Sequence, residues 1–319
     1  MHPYAALTPE VVLDALAALG LRPDGRLLAL SSYENRVYQV WLDDQPPVVA
    51  KFYRPGRWSE AQIDEEHAFA RELAEREIPV VAPSGKGTFK NFIYAVYPRR
   101  GGRTPELGDL NTLEWIGRFL GRIHAVGAAQ PFRFRESLTV QSFGHDARAY
   151  LLEHDFVPAD LLDAWKAVTQ QALQSVEHCY ARAGETRSIR LHGDCHPGNI
   201  LWTDDGPHFV DLDDARMGPA MQDLWMLLSG DRAAMSAQLK KVLSGYEQFM
   251  GFDRKELNLL EALRTLRLVH YSAWIARRWD DPAFPAAFPW FNTQRYWQDR
   301  ILELREQIAL MQEEPLSTD

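Results

Sequence analysis

The chain has 319 residues, 46% hydrophobic and 25% charged, enough for about two lobes at roughly 100–200 residues each and too long for a mini-protein scaffold. Its 35 Lys and Arg against 44 Asp and Glu give a formal charge of −9, and a field of that sign repels polyanions, so no nucleic-acid partner is expected. Two cysteines, Cys179 and Cys195, are too few for a disulfide framework. No apolar run reaches the ~18–20 residues that cross a bilayer, and the N-terminus lacks the basic start and apolar core of a signal peptide. A cytoplasmic protein with no membrane partner, expected as a monomer, fits these features.

Thr8 can cap a first helix with Pro9 at its first position and Gly20 as its stop. Residues 26–30 and 37–42 read as two strands around the polar turn Ser31 to Arg36, and Val48 to Tyr53 as a third. Residues 59–77, rich in Ala, Glu and Leu, predict a helix. Short strands around Gly87 and at 92–96 complete a sheet-plus-helix unit, and Pro98 to Gly102 marks a boundary. Two domains follow: 1–98, a sheet and helix, and 99–319, mainly helical. Helices are expected at 113–126, 145–153, 161–183, 235–249, 254–278 and 293–313, with a buried helix at 224–228. Between Ile189 and Leu212, short strands alternate with polar turns. The fold class is α+β.

The turn His192-Gly193-Asp194-Cys195-His196-Pro197-Gly198-Asn199 fits H-x-D-x-x-x-x-N, part of a kinase catalytic loop. Asp211 follows twelve residues after Asn199. Phosphoryl transfer needs a carboxylate to take the hydroxyl proton and oxygen ligands to hold Mg²⁺ on the phosphates, and Asp194, Asn199 and Asp211 supply those groups. Read singly, they are ordinary turn residues; the ordered set demands more than turn chemistry. Zinc held by Cys195, His196, His192 and His208 is disfavoured, because Pro197 and Gly198 prevent a helix that would align them.

Lys51 is the one basic residue in an apolar strand and resembles the V-A-I-K lysine that holds the α/β-phosphates of ATP and pairs with an acid on the next helix. Of Glu65 and Glu66, the latter stands three before Phe69 and seven before Leu73, near the inner face, and is preferred. The competing reading is an edge-strand lysine that keeps the sheet soluble. No G-x-G-x-x-G lies between the first two strands; backbone amides and the Ser32 hydroxyl could meet a phosphate instead. Gly85-Lys86 lacks the rest of a Walker A motif.

With Ser32 to Tyr38, Val49 to Pro55, Leu191 to Trp202, Val210 to Arg216, Gln222 to Leu228 and Asp281 to Pro285 taken together, the chain resembles the bacterial stress response kinase A family, within the choline kinase and aminoglycoside phosphotransferase group. The resemblance implies a bilobal protein-kinase-like fold and ATP-dependent phosphorylation of protein Ser/Thr in a stress response. Carried over by position, it makes Asp194 the proton acceptor, Asn199 and Asp211 the Mg²⁺ ligands, Ser32 an ATP contact, Lys51 the phosphate clamp and Asp223 a structural brace. Gly193 stands where eukaryotic protein kinases usually carry arginine, and only Leu212 to Gly218 precede Pro219, so activity is expected without activation-loop phosphorylation. A small-molecule kinase for a cationic alcohol is the alternative, suggested by Trp274, Trp279, Asp280, Asp281 and Trp290. A nucleotide sensor without chemistry is a third possibility.

Overall fold

The computed structural model describes residues 3–318 and divides the chain into two compact units. The first contains Met1–Pro105, Arg133–Arg135 and Pro197–Asp213; the second contains Glu106–Phe132, Glu136–His196 and Asp214–Asp319. A single cut near residue 98 therefore does not describe the grouping, because the hairpin after the catalytic turn joins the earlier strands. Its partners are distant in sequence: Val80 bridges Phe209, and Arg103 bridges Trp202.

In the first unit, helix α1 (Pro9–Ala18) is capped by the Thr8 hydroxyl, and Gly20 takes a positive φ just beyond its end. Strands β1 (Pro23–Leu30), β2 (Arg36–Leu42), β3 (Val48–Phe52), β4 (Gly85–Phe89) and β5 (Phe92–Pro98) form one antiparallel sheet in the order β1-β2-β3-β5-β4. Helix α2 (Glu60–Glu75) opens with a capping box between Ser59 and Gln62. Side chains alternate across a strand. Ala50 and Phe52 accordingly join the core of Val12, Leu16, Val40 and Tyr94, whereas Tyr53 packs with Ile63 and Ala95. Lys51 lies between these alternating core residues, paired across the sheet with Val37 and Ala95. Strands β6 (Ile189–Leu191), β7 (Ile200–Thr203), β8 (Gly206–Phe209) and β9 (Arg216–Gly218) form two small antiparallel pairs, β7–β8 in this unit and β6–β9 in the other.

The second unit is mainly helical: α3 (Leu110–Gly127), α4 (Asp146–Glu153), α5 (Leu162–Ala183), α6 (Met221–Leu224), α7 (Arg232–Tyr246), α8 (Leu260–Ala276), α9 (Ala283–Ala287) and α10 (Gln294–Leu310). Helices α3 and α7 approach closely; a Cβ on Gly117 would stand 2.1 Å from the Val242 carbonyl oxygen. Two expectations are corrected here. Residues 224–228 are not one helix: α6 ends at Leu224, a 3-10 turn spans Trp225–Leu227, and Leu228 is extended. The helix expected over 254–278 is a 3-10 segment, Arg254–Leu259, followed by α8. Among the described residues no helix is long and apolar enough to cross a membrane.

Candidate active site

The first unit carries Ser32, Lys51, Glu66, Asn199 and Asp211; the second carries Asp194. In the first, the Lys51 ammonium is buried and has three carboxylates around it: Glu66 Oε1 at 3.4 Å, Asp211 Oδ1 at 3.3 Å and Asp213 Oδ1 at 3.4 Å. Burial disfavours its cation, but the charges of Glu66, Tyr53, Tyr97 and Asp213 hold its pKa well above the ordinary lysine value. Burial pushes the Glu66 carboxyl up, while Lys51 and Arg135 pull it back. Helix spacing distinguished the two glutamates: Glu66 faces Lys51, whereas the Glu65 carboxylate accepts the amides of Arg133, Phe134 and Arg135 at 2.5, 2.8 and 2.9 Å. Arg135 reaches Glu66 Oε2 at 3.2 Å in return.

Behind the lysine, the Tyr53 hydroxyl lies 3.2 Å from Glu66 Oε2, 2.8 Å from His67 Nε2 and 3.1 Å from the Tyr97 hydroxyl. Asp213 is committed elsewhere as well, with Arg57 Nη1 at 2.6 Å from its Oδ2. Arg57 and Arg54 both reach Glu34, at 3.5 and 3.7 Å, and Glu34 belongs to the turn that carries Ser32. The Ser32 hydroxyl donates to the Asn35 carbonyl at 3.1 Å, and the Asn35 side chain accepts the Arg54 amide at 3.1 Å. A hydrogen-bonded turn thus stands where a glycine-rich loop is absent.

Asp211 differs from its neighbours. Its side chain is 52% exposed, and its backbone takes φ 60°, a conformation that Asp tolerates better than most residues. Asn199 ends the 3-10 turn Pro197–Asn199, and its carbonyl accepts the Val210 amide at 3.0 Å, so the ends of β7 and β8 bring the two positions alongside. The next turn, Leu212–Asp214, buries Leu212 and Asp213. Among the described residues no group of three or more His, Cys, Asp or Glu is arranged to hold a metal ion.

In the second unit, the turn before Asp194 is held by a buried carboxylate. Asp223 accepts the amides of His192 and Gly193 at 2.8 and 2.9 Å, and its Oδ2 lies 3.0 Å from His124 Nε2. Burial raises its pKa, but the His124 hydrogen bond, the His124 and His192 charges and the Gly193 amide outweigh burial and place it below the ordinary value. Since the ionised carboxylate can only accept, His124 Nε2–H donates, and its Nδ1 lies 3.0 Å from the Tyr246 hydroxyl. Gly193 has φ 87°, and a Cβ there would stand 2.1 Å from the Asp214 carbonyl oxygen. Close backbone approach therefore requires glycine. The Cys195 thiol is buried, which pushes its pKa well up.

Asp194 Oδ1 accepts from Arg267 Nη1 at 2.7 Å, and Oδ2 lies 3.7 Å from His196 Nε2. Arg267 is a partner that sequence reasoning missed: it stands 73 positions away in an ordinary helical stripe. Arg54 and Arg57 were closer to hand, two cations directly after the Lys51 strand. The aromatic and acidic run is mostly packed on itself: Trp274 lies 5.1 Å from Phe284, Trp279 lies 5.1 Å from Phe291, and the buried Asp281 accepts the Ala283 amide at 3.1 Å.

Residues 26–260 match the model of the phosphotransferase enzyme family. A stress response kinase A from Salmonella choleraesuis (strain SC-B67) is 45% identical over 318 residues, covering 98% of this chain and 96% of the relative. A Salmonella typhimurium (strain LT2) relative named serine/threonine protein kinase RdoA is 44% identical over the same length and shares. The solved structure of amicoumacin kinase hAmiN superposes with a TM-score of 0.74 at 17% identity, covering 97% of this chain and 94% of that one, a likeness of fold alone.

Proposed function

We propose, from the premise that this chain belongs to the stress response kinase A family within the phosphotransferase enzyme family, that it transfers the γ-phosphate of ATP to Ser/Thr hydroxyls of proteins in a bacterial stress response. Family membership makes it an ATP-dependent kinase. The protein acceptor draws support from the name of the Salmonella typhimurium relative, a serine/threonine protein kinase. The observation that carries the reading is Lys51, a buried ammonium held between Glu66 and the half-exposed Asp211. A lysine kept charged at a fixed point serves as a phosphate clamp, and its three carboxylates, Asp213 included, restrain it before nucleotide arrives.

The charge balance supports Mg²⁺ as well. Lys51, Arg54, Arg57 and Arg135 are already paired with Glu34, Glu66, Asp211 and Asp213, so little positive charge is left over for a polyphosphate. Asp211 and Asn199 offer hard oxygen donors, which suit a cation that keeps water and phosphate ligands. They fit Mg²⁺, and these two residues would hold it. Held by them, such an ion would neutralise phosphate charge. Asp213, turned to Lys51 and Arg57, fixes the lysine. Ser32 and its turn border the phosphates through hydroxyl and backbone amides. Asp194 takes the proton from the attacking hydroxyl, with Asp223 and His124 fixing the backbone that presents it.

The cationic-alcohol alternative keeps the exposed Asp280 and Trp290, but draws less support from Asp281, which serves its own turn, and from Trp274 and Trp279, whose indoles lie beside other aromatic rings. The test is steady-state phosphoryl transfer from Mg·ATP to generic serine proteins and to a panel of amino alcohols and aminoglycosides. Protein acceptors should be labelled, and Asp194→Ala should abolish the labelling. A low-micromolar KM for a metabolite would overturn the protein-kinase reading.

A further inference from the structure

Arginines in the second unit mostly spend their planar forks on neighbours. Arg216 holds Asp214 at 2.8 Å and lies over the Phe143 ring; Arg264 holds Glu261 and reaches the Leu228 carbonyl; Arg190 reaches the Val126 carbonyl. Arg267 is different. One of its five N–H donors goes to Asp194 Oδ1, and among the described residues it has no other hydrogen bond or ion pair. Its side chain is 38% exposed. A guanidinium that is partly solvated and mostly unengaged beside an aspartate is a fork-shaped site for an anion.

We infer that Arg267 selects the acceptor, favouring serines and threonines flanked by glutamate or aspartate. The inference rests on the reading of Asp194 as proton acceptor from a protein hydroxyl. Arg267 Nη1 is bonded to Asp194 Oδ1, so its guanidinium stands beside the carboxylate that receives the proton. A hydroxyl brought to the Asp194 carboxylate sets the residues beside it within reach of the remaining guanidinium N–H groups, which pair with a carboxylate in bidentate geometry. Arg267 also cancels the charge of Asp194 that would otherwise draw an ammonium group. A lysine or arginine next to the acceptor would meet a like charge instead.

The experiment uses the full chain with Mg·ATP and three synthetic peptides. They are identical except for the two residues on each side of a single serine: glutamate, alanine or lysine. kcat/KM is measured for the parent, Arg267→Gln, Arg267→Lys and Arg267→Glu. The readout is the ratio between peptides within each variant, which a general loss of activity does not move. The parent should favour the glutamate peptide over the alanine peptide by about tenfold, equivalent to about 1.4 kcal/mol, and disfavour the lysine peptide. The preference should fall to near unity in Arg267→Gln, persist in part in Arg267→Lys and turn toward lysine in Arg267→Glu. Equal parent rates on all three peptides would overturn the inference and leave protein phosphorylation standing. So would a glutamate preference unchanged in Arg267→Gln, with Arg267 then acting only to position Asp194. Transfer to choline with no peptide labelled would overturn the inference together with the protein-kinase reading.

Discussion

The surroundings of Lys51 and of Asp194 solve opposite problems. Around Lys51, four cations meet four carboxylates, and all but Asp211 are largely withdrawn from water. Asp194 pairs with Arg267, itself partly solvated, and has His196 3.7 Å away. A buried network with every charge met is rigid, and it costs much to break because removing one member strands the others. It suits a co-substrate that never changes. The sparser pair leaves most of a guanidinium available to partners of varied shape, and its backbone is made rigid from behind by Asp223.

Removal of Lys51 should produce the largest effect on this contrast. Lys51→Met should lower kcat/KM for ATP by about a hundredfold or more and destabilise the fold by about 3–5 kcal/mol, because buried carboxylates lose their counter-charge. Denaturant titration and steady-state kinetics read the two together; a fully active Lys51→Met would break the comparison on its first side. Gly193→Ala comes next. A Cβ 2.1 Å from a carbonyl oxygen at φ 87° should cost about 1–3 kcal/mol, and thermal unfolding that matched the parent would show that the turn can relax.

Asp223→Asn keeps shape but removes the charge that two amides and His124 address. It should cost about 1–3 kcal/mol and lower kcat, with KM for ATP held nearly constant; a change confined to KM would assign Asp223 to nucleotide binding instead. The smallest effect concerns acid. Burial holds His67 and His270 neutral, each with its pKa lowered to about 3 from an ordinary 6.5. Below pH 6.5 the unfolded chain therefore takes up protons that the folded chain refuses, and stability falls as pH drops toward 3. His270 stacks on Phe143 with centroids 4.0 Å apart, so His270→Phe preserves packing. Between pH 7 and 5 it should spare the protein about 1–2 kcal/mol of acid loss; a melting-temperature slope equal to that of the parent would contradict this.

The same contrast separates what could be read in the sequence from what could not. Lys51 was legible because a lone cation in an apolar strand violates local pattern, and Glu66 because helix spacing turns it inward. The Asp194 turn was legible through its ordered polar residues. The α+β class followed from short strands giving way to long helical patterns. Arg57 and Asp213 are 156 positions apart, and Arg267 and Asp194 are 73 apart; such pairs leave no local signature, since chain topology alone brings them together. For the same reason the hairpin after Asn199 could not be grouped with the early strands: its bridges run to Val80 and Arg103. The break at Leu224 escaped because an apolar run carries no mark of where its helix stops.

The central claim is that the Asp194 carboxylate takes the proton of the attacking hydroxyl while nucleotide is held by other groups. Single-turnover transfer of labelled γ-phosphate to a serine peptide, in parent and Asp194→Asn, tests it most directly when ATP affinity is measured in parallel by calorimetry. The rate constant should fall by about 10²–10⁴ with ATP affinity within about threefold of the parent. An Asp194→Asn protein that transfers phosphate near the parental rate would contradict the account.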